Sequence, residues 1–287
     1  SVIQHGQGEM RLIIDGMSAS AQAGGDSQSR AATHYLDWMG ALPMLAHPHP
    51  QDALVICFGT GRTANAVRKE GLQSLDIVDI DENVFRFAHH FTVNDSILED
   101  QRVRPVVMDG RAFMRRTDKM YDVITLEPMP PNAAGVNALY SREFYQLAHD
   151  KLREDGVIAQ WLPFTSMTPF YAASIARTFE SVFPNAVLWL DPAAPEGILL
   201  GFKNNDPRMG QRWPGFARTA LSRNLSAAQV QQAVFLDQPA LQRFSAGGVV
   251  VSDDNQILSY GKNAGALYTN GHYVQDNMEQ LTRSRGP

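Results

Sequence analysis

A glutamate with three prolines close behind it ends one of the apolar runs of this chain. In the segment YDVITLEPMPP, residues 121–131, Glu127 follows a run typical of a buried strand, and prolines stand at 128, 130 and 131. Proline cannot donate a ladder hydrogen bond and holds φ near about −65°, so the strand must end at the glutamate. The sequence therefore predicts a carboxylate held rigidly at a strand tip, either as a general base or as an acid that caps a turn.

A glycine-rich turn, FGTGRTA at 58–64, connects the apolar run ALVICF to a helical pattern. Gly59 and Gly61 followed by Ala64 are typical of a nucleotide-binding turn, although any α/β protein can contain a glycine turn. Asp79 stands at the end of the next strand, LDIVDI at 75–80, near the spacing at which an acid binds ribose hydroxyls. Asp81 is predicted to cap the following helix.

A third strand, VRPVVM at 103–108, ends in Asp109 and Gly110. Strands alternate with helices as far as about residue 204, a pattern that predicts a mainly parallel sheet, and ligands bind at the carboxyl edge of such sheets. We therefore predict a small N-terminal β-element and helix over 1–48, a nucleotide-binding catalytic domain over 49–204, and a helical or irregular extension over 205–287.

The composition excludes several classes of protein. The net charge of −5 argues against a nucleic-acid partner, which usually meets a basic face. No apolar stretch reaches the roughly 20 residues that span a bilayer, so we expect no membrane contact from this chain and a cytoplasmic location. The single cysteine, Cys57, lies in an apolar run and is predicted to be a small core hydrophobe. The histidines show no zinc-binding spacing, and no metal site is predicted.

Five segments together resemble the polyamine aminopropyltransferase, or spermidine synthase, family in order and spacing. They are ALVICFGTGRTANAVRKEG, DIVDIDENV, VVMDGRAFM, YDVITLEP and LYSREFYQLAHDKLREDGVIAQWL. The resemblance covers about residues 9–165. Within the family, the chain resembles a subgroup of proteins that are often fused to membrane segments. It shares with them the pair Glu127-Pro128, the segment QWLP and the pair Asp253-Asp254.

The resemblance implies a Rossmann-like, methyltransferase-type α/β fold and a sulfonium co-substrate, S-adenosylmethionine or its decarboxylated form. It also implies methylthioadenosine as product, a small-molecule amine as acceptor, no permanently bound cofactor, and a homodimer. The implied residues are the catalytic Glu127; the donor-binding Gly59, Thr60, Gly61, Asp79, Ile80, Asp109 and Gly110; and the acceptor-binding Tyr35, Tyr140, Gln160, Trp161, Asp253 and Asp254.

The chain departs from the family pattern at the acids expected to bind amines. Pro130 stands where a second acidic residue that helps to bind a diamine is expected, and Thr60 stands where an aspartate should face the donor's ammonium. Arg62 adds a cation nearby, and its fork could bind a carboxylate on intact S-adenosylmethionine. Ala19 replaces an N-terminal glutamine. The sequence therefore leaves open whether spermidine is the product.

Three other functions share parts of this pattern. A methyltransferase would share the fold and the glycine turn but transfer another carbon. A nicotinamide oxidoreductase would share the glycine turn and Asp79, but the Asp109-Gly110 pair makes it the weaker fit. A non-catalytic sensor of sulfonium nucleosides would keep the donor residues and tolerate the loss of acceptor residues.

Overall fold

The computed structural model describes residues 1–5, 8–14, 16–24, 33–131, 133, 135–191, 194–204, 234–261 and 272–286. The chain begins with a three-stranded antiparallel sheet of β1 (Val2–His5), β2 (Glu9–Ile14) and β3 (Met17–Gln22). This sheet is the small N-terminal β-element that the sequence predicts.

An eight-stranded sheet forms the centre of the protein. Its strands are β4 (Asp52–Ile56), β5 (Ser74–Asp79), β6 (Val103–Val107), β7 (Tyr121–Leu126), β8 (Leu152–Pro163), β9 (Val187–Leu190), β10 (Glu196–Phe202) and β11 (Val234–Leu236). They lie in the order β6-β5-β4-β7-β8-β10-β9-β11. The first five strands of this order pair in parallel, whereas β10 is antiparallel to both of its neighbours and β11 is antiparallel to β9.

Helices cover both faces of this sheet, because alternate strand residues point to opposite sides. The helices are α1 (Tyr35–Ala46), α2 (Arg62–Lys69), α3 (Glu82–Arg86), α4 (Gly110–Arg116), α5 (Arg142–Lys151), α6 (Pro169–Glu180), α7 (Gln238–Ser245), α8 (Ile257–Tyr260) and α9 (His272–Arg285). On β4, Leu54 and Ile56 belong to the core on the side of α4, α5 and α6, whereas Ala53 and Val55 belong to the core on the side of α2. The predicted Rossmann-like class is confirmed.

The helix expected over 82–91 is shorter than predicted. It ends at Arg86, and 3₁₀ turns follow. The amide of Asn94 donates to the carbonyl oxygens of Ala88 (2.7 Å) and Thr60 (3.2 Å), so these turns fold back onto the glycine turn instead of continuing the helix.

The C-terminal part of the chain packs on the same core. The strand β11 extends the central sheet, and α7 and α9 lie against α6. The division into three domains stays a prediction, and residues 205–233 lie outside the described residues. In the described ranges no helix is long and apolar enough to cross a membrane.

Candidate active site

Backbone hydrogen bonds align the carboxyl ends of four parallel strands. The Cys57 amide donates to Val78 (2.9 Å) and the Met108 amide donates to Asp79 (2.9 Å), which connects the ends of β4, β5 and β6. The Glu127 amide donates weakly to Ile56 at 3.4 Å. The predicted acids therefore stand at one edge of the sheet, directly beside the glycine turn.

The glycine turn has the backbone geometry that a close ligand approach requires. Gly59 and Gly61 have φ of 54° and 81°, and a Cβ on Gly61 would lie 2.7 Å from the Phe58 ring. Cys57 also has a positive φ, 72°, which is rare for a side chain with a Cβ and is typical of functional sites. The interpretation of Cys57 as an ordinary core hydrophobe missed this position at the junction of the strand tips.

Asp79 holds the turn in place. One of its carboxylate oxygens accepts from the Phe58 amide at 2.8 Å and the other accepts from the Asp81 amide at 3.1 Å. Burial raises the pKa of Asp79, and these two amides oppose the rise. Each oxygen can accept a second hydrogen bond, so ribose hydroxyls can still bind here. The neighbouring Ile80 is 72% exposed, an apolar surface beside the turn. Asp81 caps α3 through the Asn83 amide (2.9 Å), as predicted.

Asp109 and Gly110 also have structural roles at the start of α4. Asp109 caps α4 by accepting from the Ala112 amide at 2.8 Å. A Cβ on Gly110 would lie 2.4 Å from Ile56 Cγ2, so the residue is glycine because α4 packs closely on β4. Their contact with a donor stays a prediction.

A cavity of about 640 Å³ opens between the N-terminal sheet and the carboxyl ends of β7 and β8. One wall therefore comes from the predicted N-terminal β-element, and the opposite wall comes from the segment that carries Glu127. The lining residues are Glu9, Arg11, Ser18, Ala19, Ser20, Ala21, Thr33, Tyr35, Leu36, Glu127, Pro128, Met129, Pro130, Trp161, Thr165 and Ser166.

Glu127 lines this cavity, with a tyrosine as its side-chain hydrogen-bond partner. The Tyr35 hydroxyl donates to its Oε1, and no lysine, arginine or histidine of the described residues forms an ion pair with it. Burial raises the pKa of Glu127 to about 8; the Tyr35 hydrogen bond opposes the rise and the charge of Glu196 adds to it. A carboxyl group in this state is a stronger base than an exposed one.

The predicted acceptor residues divide into two groups. Tyr35 and Trp161 line the cavity with their rings stacked, centroids 5.9 Å apart and planes at 14°. Tyr140 is fully buried; its hydroxyl has no hydrogen-bond partner among the described residues, and burial raises its pKa. Gln160 is also fully buried; it accepts from the Tyr145 hydroxyl at 3.4 Å and is absent from the cavity wall.

Asp253 and Asp254 are not brought to Glu127. The segment 249–261 does return to the carboxyl edge of the sheet, but Asp253 pairs there with Arg111 of α4, whose Nη1 donates to it at 2.7 Å. Asp254 is exposed, and neither residue lines the cavity. The arginine beside it lowers the pKa of Asp253, so the aspartate is committed to that ion pair.

The residues that depart from the family pattern have the following contacts in the structure. Arg62 places its fork on Asp37, with Nε and Nη2 at 2.9 and 2.6 Å from the two oxygens, and its Nη1 donates to Thr33. Its fork is therefore occupied. Thr60 is buried, and its hydroxyl lies 3.5 Å from that of Ser20 on β3. Pro130 lines the cavity without a charge.

Sequence reasoning missed one acid of the site, Glu196 at the start of β10. This residue is 9% exposed and accepts from Trp161 Nε1 at 2.9 Å and from the Thr165 hydroxyl at 3.3 Å. Burial raises its pKa to about 7. Its only signal in the sequence is an acid inside an apolar strand pattern, EGILLGF.

The sequence of the chain was compared with those of known proteins. The spermine/spermidine synthase domain matches residues 32–200. The chain belongs to the spermine/spermidine synthase family. Polyamine aminopropyltransferase 2 of Pseudomonas aeruginosa is 32% identical over 177 residues, which cover 60% of this chain and 49% of that protein. The chain thus spans about half the length of this relative.

Two solved structures share the fold of this chain. The spermidine synthase of Thermotoga maritima superposes with a TM-score of 0.62 at 21% identity, over 86% of this chain and 87% of that one. Human methyltransferase-like protein 13 superposes with a TM-score of 0.51 at 16% identity, over 71% of this chain and 92% of that one. A spermidine synthase and a methyltransferase-like protein therefore share this fold, so the fold alone does not define the reaction.

Proposed function

We propose that this chain transfers an aminopropyl group from decarboxylated S-adenosylmethionine to an amine and releases methylthioadenosine. The observation that carries the proposal is Glu127, a half-buried carboxylate just beyond β7, which accepts a hydrogen bond from Tyr35 and lines a cavity beside the glycine turn. Family membership and a relative named as a polyamine aminopropyltransferase support it.

The chemistry requires a base in this position. Alkylamines have pKa values near about 10, so the acceptor arrives protonated and cannot attack. Glu127 takes the proton, the amine lone pair attacks the aminopropyl carbon bonded to sulfur, and the C–S electron pair returns to sulfur. The sulfonium thereby becomes a neutral thioether. Because the pKa of Glu127 is raised to about 8, the carboxylate is closer in basicity to the amine than an exposed glutamate is.

The charges around the site favour the decarboxylated donor. A donor with an amino-acid carboxylate needs a free cation, and the Arg62 fork is already held by Asp37. Beside Glu127 the cavity wall consists of the stacked rings of Tyr35 and Trp161, with the buried Glu196 behind them, a chemistry that suits an alkylammonium acceptor. These features favour amine alkylation over methyl transfer to an oxygen. The homodimer and the cytoplasmic location stay predictions from the sequence.

Product analysis tests this proposal. The protein is incubated with an amine and with each donor in turn, and the nucleoside product is identified by mass spectrometry. Methylthioadenosine is expected from the decarboxylated donor. Formation of S-adenosylhomocysteine from the intact donor would identify a methyltransferase instead.

Removal of the Asp79 carboxylate should weaken nucleoside binding. The variant Asp79→Ala is expected to bind methylthioadenosine less tightly by roughly 1.5–3 kcal/mol, the range for a hydrogen bond to a charged group. Asp81→Ala is the matched control, because it removes a carboxylate two residues away that only caps α3. Calorimetry that finds equal losses in both variants would refute a ribose contact by Asp79.

The pH dependence of the reaction should report the ionisation of Glu127. We expect kcat/KM to fall as the pH drops below about 8, because only the carboxylate accepts a proton. Glu196 has a pKa of about 7, so this limb belongs to both acids together. Tyr35→Phe removes the hydrogen bond that lowers the pKa of Glu127 and should move the limb to higher pH. The acceptor amine titrates identically with the wild type and with Tyr35→Phe, so it cannot cause a difference between the two profiles. An acidic limb that stays at the same pH in Tyr35→Phe, or moves to lower pH, would contradict the assignment.

A further inference from the structure

Glu196 is a buried acid whose two hydrogen-bond donors both line the cavity. Trp161 donates to one oxygen through its indole Nε1, at 2.9 Å, and Thr165 donates to the other through its hydroxyl, at 3.3 Å. Glu196 itself stands behind these residues, 9% exposed, at the start of β10. The antiparallel register of β10 with β8 places Glu196 opposite Pro163, two residues beyond Trp161.

A continuous set of contacts connects Glu196 to the catalytic side of the cavity. The Trp161 ring stacks on Tyr35, with centroids 5.9 Å apart, and the Tyr35 hydroxyl donates to Glu127. Each ring of the stack is therefore held by one carboxylate through its polar atom. The orientation of this aromatic wall depends on both acids, because an indole N–H fixes the rotation of its ring plane.

The cationic partners of Glu127 and Glu196 can be assessed within the part of the chain that the structure describes. Among the described residues, neither Glu127 nor Glu196 forms an ion pair with a lysine, arginine or histidine. The nearby Asp191 differs, because His34 Nδ1 lies 3.3 Å from its Oδ1. Withdrawing carboxylates from water without a cationic partner is costly, and a ligand with two positive charges would offset that cost.

We propose that Glu196 is a specificity-determining residue of the acceptor site, which selects doubly charged amines by its charge and positions the Trp161 ring through its hydrogen bond. The inference rests on the proposed function for the identity of the acceptor as an amine. Glu127 accepts the proton of the ammonium group that reacts, and the negative charge of Glu196 stabilises the second ammonium group of the same molecule. Pro130 lines the same cavity and offers no charge for that role.

Calorimetry with a four-carbon diamine and the monoamine of equal length tests this assignment. Both are titrated, at a pH above about 8 so that Glu196 is ionised, into the full chain saturated with methylthioadenosine. The wild type should prefer the diamine. Glu196→Gln should weaken diamine binding about 10- to 100-fold and change monoamine binding less than about threefold. Trp161→Phe, which keeps a ring but loses the indole N–H, should weaken both amines.

Three results would overturn the assignment: a wild type without preference for the diamine, an unchanged diamine affinity in Glu196→Gln, or equal losses for both amines. Equal losses would indicate a purely structural residue. Glu196→Asp keeps the charge and should keep the preference, so it provides the test should the glutamine variant fail to fold. Because binding needs no turnover, a wild type that prefers the diamine but never forms methylthioadenosine would refute the proposed function alone.

Discussion

The Glu127→Gln variant is expected to bind the donor like the wild type and to lose about 10²–10⁴-fold in turnover, the usual cost of removing a general base. Glutamine has nearly the same shape and can still accept the Tyr35 hydrogen bond, but it cannot take a proton from an ammonium group. The loss should therefore appear in kcat, whereas the affinity for methylthioadenosine should stay unchanged, because the residues predicted to bind the donor lie at the ends of β4, β5 and β6, apart from Glu127.

Single-turnover kinetics and calorimetry on the same preparation measure these two quantities. Glu279→Gln is the control, since Glu279 lies on the exposed face of α9 in an ion pair with Arg283. This control should keep wild-type turnover. Full activity in Glu127→Gln would refute the base assignment and leave the carboxylate as an acid that only caps a proline-rich turn.

The same variant should gain stability at alkaline pH. The pKa of Glu127 is raised by burial from 4.5 to about 8 in the folded protein, so the folded chain holds this proton more tightly than the unfolded chain. The resulting stabilisation is complete below about pH 4.5 and is lost as the pH rises through 8. Glutamine never ionises, so it avoids this loss. At about pH 9 Glu127→Gln should be more stable by on the order of 3 kcal/mol, and near pH 5 it should match the wild type.

Denaturant unfolding at both pH values measures the difference. Glu279→Gln should track the wild type at each pH, because its carboxylate is exposed. A turn-capping acid makes the opposite prediction, since loss of a cap costs stability at the pH where the acid is charged. A destabilised Glu127→Gln at pH 9 would therefore contradict the placement of this carboxylate in a desolvated site.

The parts of the site that follow from local sequence could be predicted. Prolines end β7 directly before Glu127, the glycine turn follows closely after the end of β4, and Asp79 ends the neighbouring strand. These features depend on backbone restrictions and on the rule that parallel strands share one carboxyl edge. The cap formed by Asp81 could be predicted for the same local reason.

The contacts between distant parts of the chain could not be predicted. Strand β10 inserts between β8 and β9, and only this order brings Glu196 to Trp161, 35 residues away in sequence. The Arg62 fork is occupied because α1 crosses α2 and presents Asp37 to it, 25 residues away. The Asp253 carboxylate is held by Arg111 rather than an acceptor, because the C-terminal segment returns beside α4. Hydrophobic periodicity carries no information on any of these pairings.

The most direct test of aminopropyl transfer is mass spectrometry of both products from one reaction. The full chain is mixed with decarboxylated S-adenosylmethionine and a four-carbon diamine, and the amine and nucleoside fractions are measured over time. We expect the diamine to gain one aminopropyl group for each methylthioadenosine released, and both products to be reduced together in Glu127→Gln. Methylthioadenosine without the extended amine, or a methylated acceptor formed from intact S-adenosylmethionine, would contradict the transfer of an aminopropyl group by this site.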